Sequence, residues 1–231
     1  MQNKKIRLNN LLPKIAIQVN ENVYLKHPES SALGKKIITA GIDMIDQLGY
    51  EQFTFRKLAK AINSTEASIY RYFENKHKLL LYFTSWYWNW TAYKLAFKLT
   101  NISSSKERLK KAIFLLTEEI KEDNDFLHIN EAKLNRIVIA ESSKAYLCKE
   151  VDAGNKEGFF AEYKQVVQLV SDIILEINPN YKYPHMLVST VIEGGHNQRF
   201  FTAHLPNLTD AIEGEDAITT FYTELTLQAL N

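Results

Sequence analysis

The chain has 231 residues, of which 45% are hydrophobic and 24% are charged, and its formal net charge is +1. This balance gives no overall basic signal for nucleic acid, although a local basic face remains possible. The length supplies a sizeable core for one large or two small domains. The low counts of 8 glycines and 5 prolines favour helices over a turn-rich β fold. The single cysteine, Cys148, excludes an intramolecular disulfide and a multi-cysteine metal site.

Neither a targeting segment nor a membrane span is visible in the sequence. The first 30 residues lack a continuous apolar core and a small-residue cleavage site. The most apolar stretch, residues 79–93, is too short for a bilayer and contains several polar residues, so we interpret it as a buried helix. A single cysteine suits a reducing compartment. We therefore expect a cytoplasmic protein with no membrane partner.

Residues 1–30 form the first predicted segment, an N-terminal arm or extension. It carries four basic residues before position 15, which are Lys4, Lys5, Arg7 and Lys14. The apolar run 15–19 favours packing of this segment on its own domain over a solvated tail. A first helix is predicted over residues 31–48, because apolar residues recur at helical spacing and Gly49 is a stop signal.

Residues 54–76 predict two short helices separated by a turn. Thr54 and Thr65 can each cap the backbone N–H groups that follow them. Glu66 lies in the first turn of the second helix, where the helix dipole favours a carboxylate. Asn63 falls where the backbone should turn left-handed, a conformation that Asn tolerates better than most residues. This is the layout of a helix-turn-helix, whose second helix enters the major groove of DNA.

The helix-turn-helix gives the basic extension a second interpretation beside packing. An arm at this position could reach into the minor groove next to the motif, as homeodomain arms do. The sequence leaves both interpretations open.

The remaining chain predicts a series of further helices and hence an all-α fold. A long aromatic helix begins near residue 75 and continues to about residue 100. Proline or glycine residues mark several of the breaks between the later helices. These later helices are predicted over residues 103–123, 129–148, 157–177, 184–204 and 215–230.

From about Leu33 to about Tyr82 the chain resembles the DNA-binding domain of the tetracycline-repressor (TetR) family of bacterial transcription regulators. The resemblance rests on fragments that occur in order and at compatible spacing: Gly49-Tyr50-Glu51-Gln52-Phe53-Thr54, Leu58-Ala59, Ala67-Ser68-Ile69-Tyr70, Tyr72-Phe73-Glu74-Asn75-Lys76 and Leu79-Leu80. The rest of the chain matches by length and helical pattern only. The resemblance implies nine helices, with three small ones forming a DNA-binding domain at residues 31–76. A larger helical domain for ligand binding and dimerisation would follow at residues 77–231.

The resemblance implies a set of DNA-binding residues, which are Thr54, Arg56, Thr65, Glu66, Ala67, Ser68, Tyr70, Arg71, Tyr72 and Lys76. Arg56 falls where family members place a base-reading side chain, and its guanidinium can pair with guanine O6 and N7. Glu66, Ala67 and Ser68 match the exposed first turn of the recognition helix. The alternatives are that Arg56 is an ordinary surface residue and that Glu66 only caps its helix. Phe55 replaces a frequent small polar residue and is expected in the core.

Other positions in the motif match phosphate contacts. Tyr70 and Tyr72 match positions that usually reach phosphates through their hydroxyl groups, and both face directions other than the buried side on which Ile69 and Phe73 lie. Lys76, at the start of the long helix, matches a lysine that does the same with help from the helix dipole. Arg71 departs from the common residue at its position, and it can reach a base or a phosphate.

The aromatic residues of the long helix have two interpretations. Most of them must fill the core, but Trp86, Trp90, Tyr93 and Phe97 could line an apolar ligand pocket. His196 is a further candidate for this pocket, against the alternative of a hydrogen-bonded packing histidine. The resemblance implies that a ligand shifts the long helix, separates two recognition helices and releases DNA.

The last two long helices are the predicted dimer interface. Apolar residues at helical spacing would form a four-helix bundle with a second copy. These residues are Val188, Val191, Ile192, Gly195, Ile218, Phe221, Leu225 and Ala229. The adjacent pair Gly194-Gly195 permits either a kink or the close approach of another helix.

Signals of catalysis are poor. The six histidines are scattered, and no His-Glu-x-x-His motif or carboxylate cluster has ligand spacing. We therefore expect no catalytic residue, no metal and no cofactor. The favoured hypothesis is a cytoplasmic, dimeric, TetR-like repressor that is released from a palindromic operator by a small, largely apolar ligand. The alternatives are a helical enzyme or small-molecule carrier and a helical interaction module without DNA binding.

Overall fold

The structure is a computed structural model that describes residues 17–121 and 128–230. Every regular element in these ranges is a helix, so the all-α prediction is confirmed. Three short 3-10 helices lie at Glu21–Val23, Pro28–Ser30 and Pro206–Leu208. The α-helices are α1 (Ala32–Leu48), α2 (Phe55–Ala61), α3 (Glu66–Tyr70), α4 (Lys76–Leu99), α5 (Ser105–Thr117), α6 (Glu131–Glu141), α7 (Ser143–Tyr146), α8 (Val151–Lys156), α9 (Ala161–Ile177), α10 (Pro184–His204) and α11 (Ala217–Ala229).

The long helices agree closely with their predicted spans, whereas the middle of the chain is more broken than expected. The helix predicted over 103–123 ends at Thr117, and the one predicted over 129–148 divides into α6 and α7. The short helix α8 was not predicted. Gly158, with φ 81°, separates it from α9, because this left-handed conformation ends a helix. Eleven α-helices therefore lie in residues 17–121 and 128–230, against the nine that the resemblance implies.

Contacts divide the chain into two compact units, and the division falls inside α4. One unit contains the chain up to Tyr87 and the segment Ile120–Phe159. The other contains the segment Trp88–Glu119 and the chain from Phe160 onward. The helices α6 to α8 therefore belong with the helix-turn-helix, not with the later helices. None of the helices in the described ranges combines the length and apolar character needed to cross a bilayer.

In the first unit, α1 lies against α6 through an apolar stripe and a row of polar pairs. Ile37, Ile38, Ile42 and Ile45 supply the buried face of α1. Lys133 Nζ lies 2.7 Å from Asp43 Oδ1. Arg136 donates two hydrogen bonds of 2.8 Å to the Asp46 carboxylate. These pairs follow one face of α1 and fix the register of α6 along it.

In the second unit, α10 packs against α5, α9 and α11. A Cβ atom at Gly194 would lie 2.1 Å from Tyr222 Oη, and one at Gly195 would lie 3.0 Å from Thr117 Cγ2. The glycine pair therefore allows the close approach of α11 and α5, two helices of the same unit. Arg199 donates to Thr117 O at 2.6 Å and to Asp216 Oδ1 at 2.7 Å.

This packing changes the set of residues available for dimerisation. Five of the eight residues predicted for the dimer interface are buried inside the chain, because they pack between helices of their own unit: Val188, Val191, Ile192, Gly195 and Ile218. The expectation that these five form an intersubunit stripe is wrong. Phe221, which is 56% exposed, Leu225, which is 38% exposed, and Ala229 are the members of that set that face outward.

Candidate DNA-binding site

The turn between α2 and α3 has the predicted geometry. Thr54 Oγ1 accepts a hydrogen bond from Lys57 N, and Thr65 Oγ1 accepts one from Ser68 N, each at 3.2 Å. Asn63 has φ 53° and is the one non-glycine residue with positive φ in the described residues. Both caps and the left-handed turn are therefore confirmed, and they set the relative direction of the two short helices.

One side of the motif is a hydrophobic core. Phe55, Leu58, Ile69 and Phe73 are buried, which confirms the assignment of Phe55 to the core. The rings of Phe55 and Tyr70 meet edge to face with centroids 5.1 Å apart. This contact holds the ring of Tyr70 while 47% of its surface stays exposed.

The other side of the motif is exposed and polar. Arg56, Glu66, Ala67 and Arg71 are exposed, and Ser68 is half-buried with its hydroxyl 2.9 Å from Thr65 Oγ1. No carboxylate partner of Arg56 or Arg71 occurs among the ion pairs of the described residues. Two further exposed lysines of α2, Lys57 and Lys60, add positive charge beside this face.

Tyr72 is buried, so the expectation that it lies off the buried side of the motif is wrong, and its contact with a phosphate stays a prediction. Its side chain is only 3% exposed, and its hydroxyl forms a 2.7 Å hydrogen bond with Ser31 Oγ. Lys26 Nζ lies 5.2 Å from the centroid of its ring. The residues that cover Tyr72 precede α1, so the cause of its burial lies outside the motif from which its role was inferred.

Lys76 is engaged within its own unit. Its Nζ donates to Tyr50 O at 3.0 Å and to Glu51 O at 3.4 Å, and it lies 4.4 Å from the centroid of the Tyr50 ring. The ammonium group therefore supports the turn between α1 and α2. Its contact with a phosphate stays a prediction.

The described part of the N-terminal extension packs on this unit. Val23 is fully buried, and Leu25 N donates a 2.8 Å hydrogen bond to Tyr72 O. Asn20 Nδ2 donates to Glu157 O at 3.0 Å. For residues 17–30 the structure thus agrees with the interpretation in which the extension packs on its own domain. The four basic residues that prompted the idea of a minor-groove arm lie outside the described residues.

The candidate ligand residues fall in both units. Trp86 is buried in the first unit, whereas Trp90, Tyr93 and Phe97 belong to the second. Phe97 is 46% exposed and stacks on Tyr93 with centroids 6.3 Å apart. Lys94 Nζ lies 4.5 Å from the centroid of Trp90, so a cation already covers that ring.

His196 is buried in the second unit. It stacks on Trp88 with centroids 5.9 Å apart, and Trp88 stacks on Tyr163 with centroids 4.2 Å apart. Burial lowers the pKa of His196 from 6.5 to about 4. The imidazole is therefore neutral at pH 7 and serves the packing of α10 against α4 and α9.

Two surface cavities of the second unit were not anticipated. One, of about 560 Å³, lies between the end of α4, the start of α5 and α9, and it has Leu99, Leu169 and Ile173 among its apolar lining residues and Arg108 among its polar ones. The other, of about 590 Å³, lies between α11 and the segment before it. None of the predicted ligand residues lines either cavity. Sequence periodicity could not reveal them, because each depends on how separate segments of the chain meet.

Two helix-capping threonines, a left-handed turn and an exposed basic edge beside α3 define a DNA-binding protein of the helix-turn-helix class.

 Residues 37–83 match the family model described as bacterial regulatory proteins, tetR family. The chain therefore carries the DNA-binding domain of tetR-family regulators, and the resemblance stated from the sequence is confirmed over these residues.

Solved structures share the fold over most of the chain. Superantigen PfiT has a TM-score of 0.57 at 17% identity, covering 88% of this chain and 97% of its own. AibR, solved in complex with isovaleryl coenzyme A and operator DNA, has a TM-score of 0.54 at 16% identity, covering 84% and 97%. The fatty acid degradation regulator FadR from Bacillus halodurans has a TM-score of 0.53 at 18% identity, covering 85% and 97%. No curated protein sequence matches the chain significantly.

Proposed function

We propose that the chain is a cytoplasmic, homodimeric transcription regulator that binds duplex DNA through α2 and α3. The observation that carries this proposal is the exposed polar face of the motif, where Arg56, Tyr70 and Arg71 stand on a capped and well-packed core. Arginine and tyrosine side chains in this arrangement supply donors for base edges and phosphates. The family match covers the same residues.

The exposed residues divide into two roles. Arg56 reads a base, and Glu66, Ala67 and Ser68 form the first turn of the recognition helix that faces the base edges. Tyr70, Arg71 and Lys76 hold phosphates. Thr54 and Thr65 position the two helices through their caps. Tyr72 supports this face from within the unit, since its hydroxyl is bonded to Ser31.

The regulator acts as a repressor that a small, largely apolar ligand releases from a palindromic operator. A dimer with two-fold symmetry reads two symmetric half-sites, which is why a palindrome is expected. Two of the similar structures support a ligand-responsive role, since one is named for fatty acid degradation and the other contains isovaleryl coenzyme A beside operator DNA. Fatty acids are therefore the first apolar ligands to test, and acyl-coenzyme A thioesters, which add a polyanionic carrier to the same acyl chain, are the comparison.

Selection of bound fragments from a pool of random duplex DNA tests the proposal. We expect recovery of a palindromic sequence. Arg56→Ala should relax the preference at one symmetric position and cost about 1–3 kcal/mol per half-site. Lys76→Ala should weaken binding to all duplexes about equally and reduce the salt dependence. Lys182→Ala, at an exposed lysine of the second unit, is the matched control and should bind as the wild type does.

The outcome also separates the alternatives. If the wild-type protein enriches no duplex, DNA binding fails and a helical small-molecule-binding protein or interaction module becomes the better description. Equal effects of Arg56→Ala and Lys76→Ala across a panel of operator variants would contradict the division of roles while leaving DNA binding intact.

A further inference from the structure

The loop that precedes α1 brings a cation to the end of the recognition helix. Lys26 is exposed, and its Nζ lies 5.2 Å from the ring centroid of Tyr72. A cation over an aromatic face is held there by the ring quadrupole. The ammonium group of Lys26 therefore lies over the ring of Tyr72 and belongs to an exposed residue. Tyr72 itself, which the sequence led us to expect away from the buried side of the motif, is buried.

The backbone of this loop is fixed on both sides of Lys26. On one side, Leu25 N donates a 2.8 Å hydrogen bond to Tyr72 O. On the other, Ser30 N donates to His27 O at 3.2 Å, and Pro28 is buried. The ring of Tyr24 also meets the ring of Tyr82 at a centroid distance of 6.2 Å. Lys26 is thus carried by a loop whose backbone is held on both sides, and its side chain is exposed.

The dimensions of α3 place this cation near a DNA strand in the proposed complex. The helix has 5 residues, so it is about 7.5 Å long at 1.5 Å per residue. The major groove is about 12 Å wide. A residue just beyond the end of so short a helix therefore lies at the wall of the groove, where phosphates occur. Arg71 is also exposed at this end of the helix. The two positive charges of Lys26 and Arg71 exceed the one negative charge of the exposed Glu74, so the net local charge is positive.

We propose that Lys26 is a phosphate-contacting residue, supplied by the N-terminal extension in place of the buried hydroxyl of Tyr72. The inference rests on the proposed function, because it requires that α3 enters the major groove. It assigns the described part of the extension a role in binding the sugar–phosphate backbone. Sequence selectivity would be unaffected, since phosphate contacts position a protein without reading bases.

The test measures the salt dependence of binding by the full-length protein. The probes are the duplex selected by the wild-type protein and a random-sequence duplex. We expect Lys26→Gln to weaken binding to both duplexes by the same factor and to lower the salt slope by about one per subunit. Lys26→Arg should restore the slope, because arginine keeps the charge and also stacks on tyrosine. Lys182→Gln is the control for the loss of one positive charge.

A second measurement separates phosphate contact from support of the fold. Tyr72→Phe removes the hydrogen bond to Ser31 but keeps the ring beneath Lys26, so it should lower the melting temperature and leave the salt slope unchanged. Ethylation of phosphates that Lys26 contacts should interfere with binding of the wild type and not of Lys26→Gln. A Lys26→Gln protein with the wild-type slope and interference pattern would overturn the inference, whether or not it melts earlier. If the wild type binds neither duplex, the proposed function itself fails.

Discussion

The backbone N–H of Tyr50 donates a 2.9 Å hydrogen bond to Glu141 Oε1. The bond joins the turn between α1 and α2 to the end of α6, two parts of the same unit that are far apart in sequence. Glu141 is buried, and Lys144 pairs with its other carboxylate oxygen. A buried carboxylate thus satisfies both a main-chain donor and a cation.

Removal of this acceptor should destabilise the first unit. Glu141→Ala leaves Tyr50 N–H buried without its partner, and such a loss costs about 1–3 kcal/mol. Glu141→Gln keeps an acceptor oxygen and should cost less. Urea unfolding measures both free energies. Glu51→Ala is the control, because Glu51 is an exposed partner of the same Lys144; a control as damaging as Glu141→Ala would contradict the explanation.

The buried His196 should make stability depend on pH. Its pKa is about 4 in the folded chain because of burial, against about 6.5 in the unfolded chain. The unfolded state therefore binds the proton first, and stability falls as the pH drops from 6.5 towards 4. The loss is on the order of 2–3 kcal/mol.

The test compares unfolding midpoints across this pH range in the wild type and in His196→Phe. Carboxylates also contribute to acid unfolding, so the difference between the two proteins is the relevant quantity. The variant should lose less stability on acidification. His185→Gln, at an exposed histidine, should follow the wild type; parallel curves for the wild type and His196→Phe would refute the assignment.

Gly194 should not tolerate a side chain. A Cβ atom there would lie 2.1 Å from Tyr222 Oη, and overpacking of this kind costs about 1–3 kcal/mol. We expect Gly194→Ala to lower the melting temperature in spite of the higher helix propensity of alanine. Tyr222→Leu removes the clashing ring, so the double variant should be more stable than the sum of the single effects indicates. Additive effects would mean that the two residues are independent.

The exposed apolar side chains of α11 should mediate dimerisation. Phe221 and Leu225 are large, apolar and exposed. Replacing both by Glu puts two charges into the proposed interface, so sedimentation should show monomers that keep their helical circular dichroism. Lys106→Glu, at an exposed residue of α5, should remain dimeric. A dimer that survives the double replacement would place the interface elsewhere.

Ligand binding near α4 should be visible at Trp90. This residue is half-buried beside Lys94, which forms a 3.0 Å ion pair with Glu118. An apolar ligand that contacts Trp90 should quench tryptophan fluorescence and bind less tightly when DNA is present, because coupling between sites is reciprocal. Trp90→Ala should reduce ligand affinity and leave operator binding without ligand nearly intact. Loss of operator binding by the variant without ligand would show that Trp90 belongs to the core.

The sequence predicts the local elements well, since their signals lie within a few residues. The caps at Thr54 and Thr65, the left-handed Asn63 and the stop at Gly49 all depend on neighbours in the chain, and each appears in the structure. The helix α10 spans the predicted residues 184–204. Periodicity identifies such helices because one face must be apolar.

The sequence predicts tertiary surroundings less well. The burial of Tyr72 depends on Ser31 and Lys26, which are more than forty residues away along the chain. The apolar stripe of α10 is an interior stripe of the subunit, and periodicity cannot distinguish it from a stripe that a second copy covers. The cavity at Arg108 likewise depends on the meeting of three helices.

The packing of residues 17–31 determines where an isolated DNA-binding fragment can begin. The family match starts at residue 37, but a fragment cut there would lack Ser31, whose hydroxyl caps α1 through Gly34 N and bonds to Tyr72. It would also lack Val23 and the Leu25 hydrogen bond to Tyr72 O. A fragment suitable for spectroscopy must therefore start before Asn20, and it must include the stretch around Glu157 to which Asn20 is bonded.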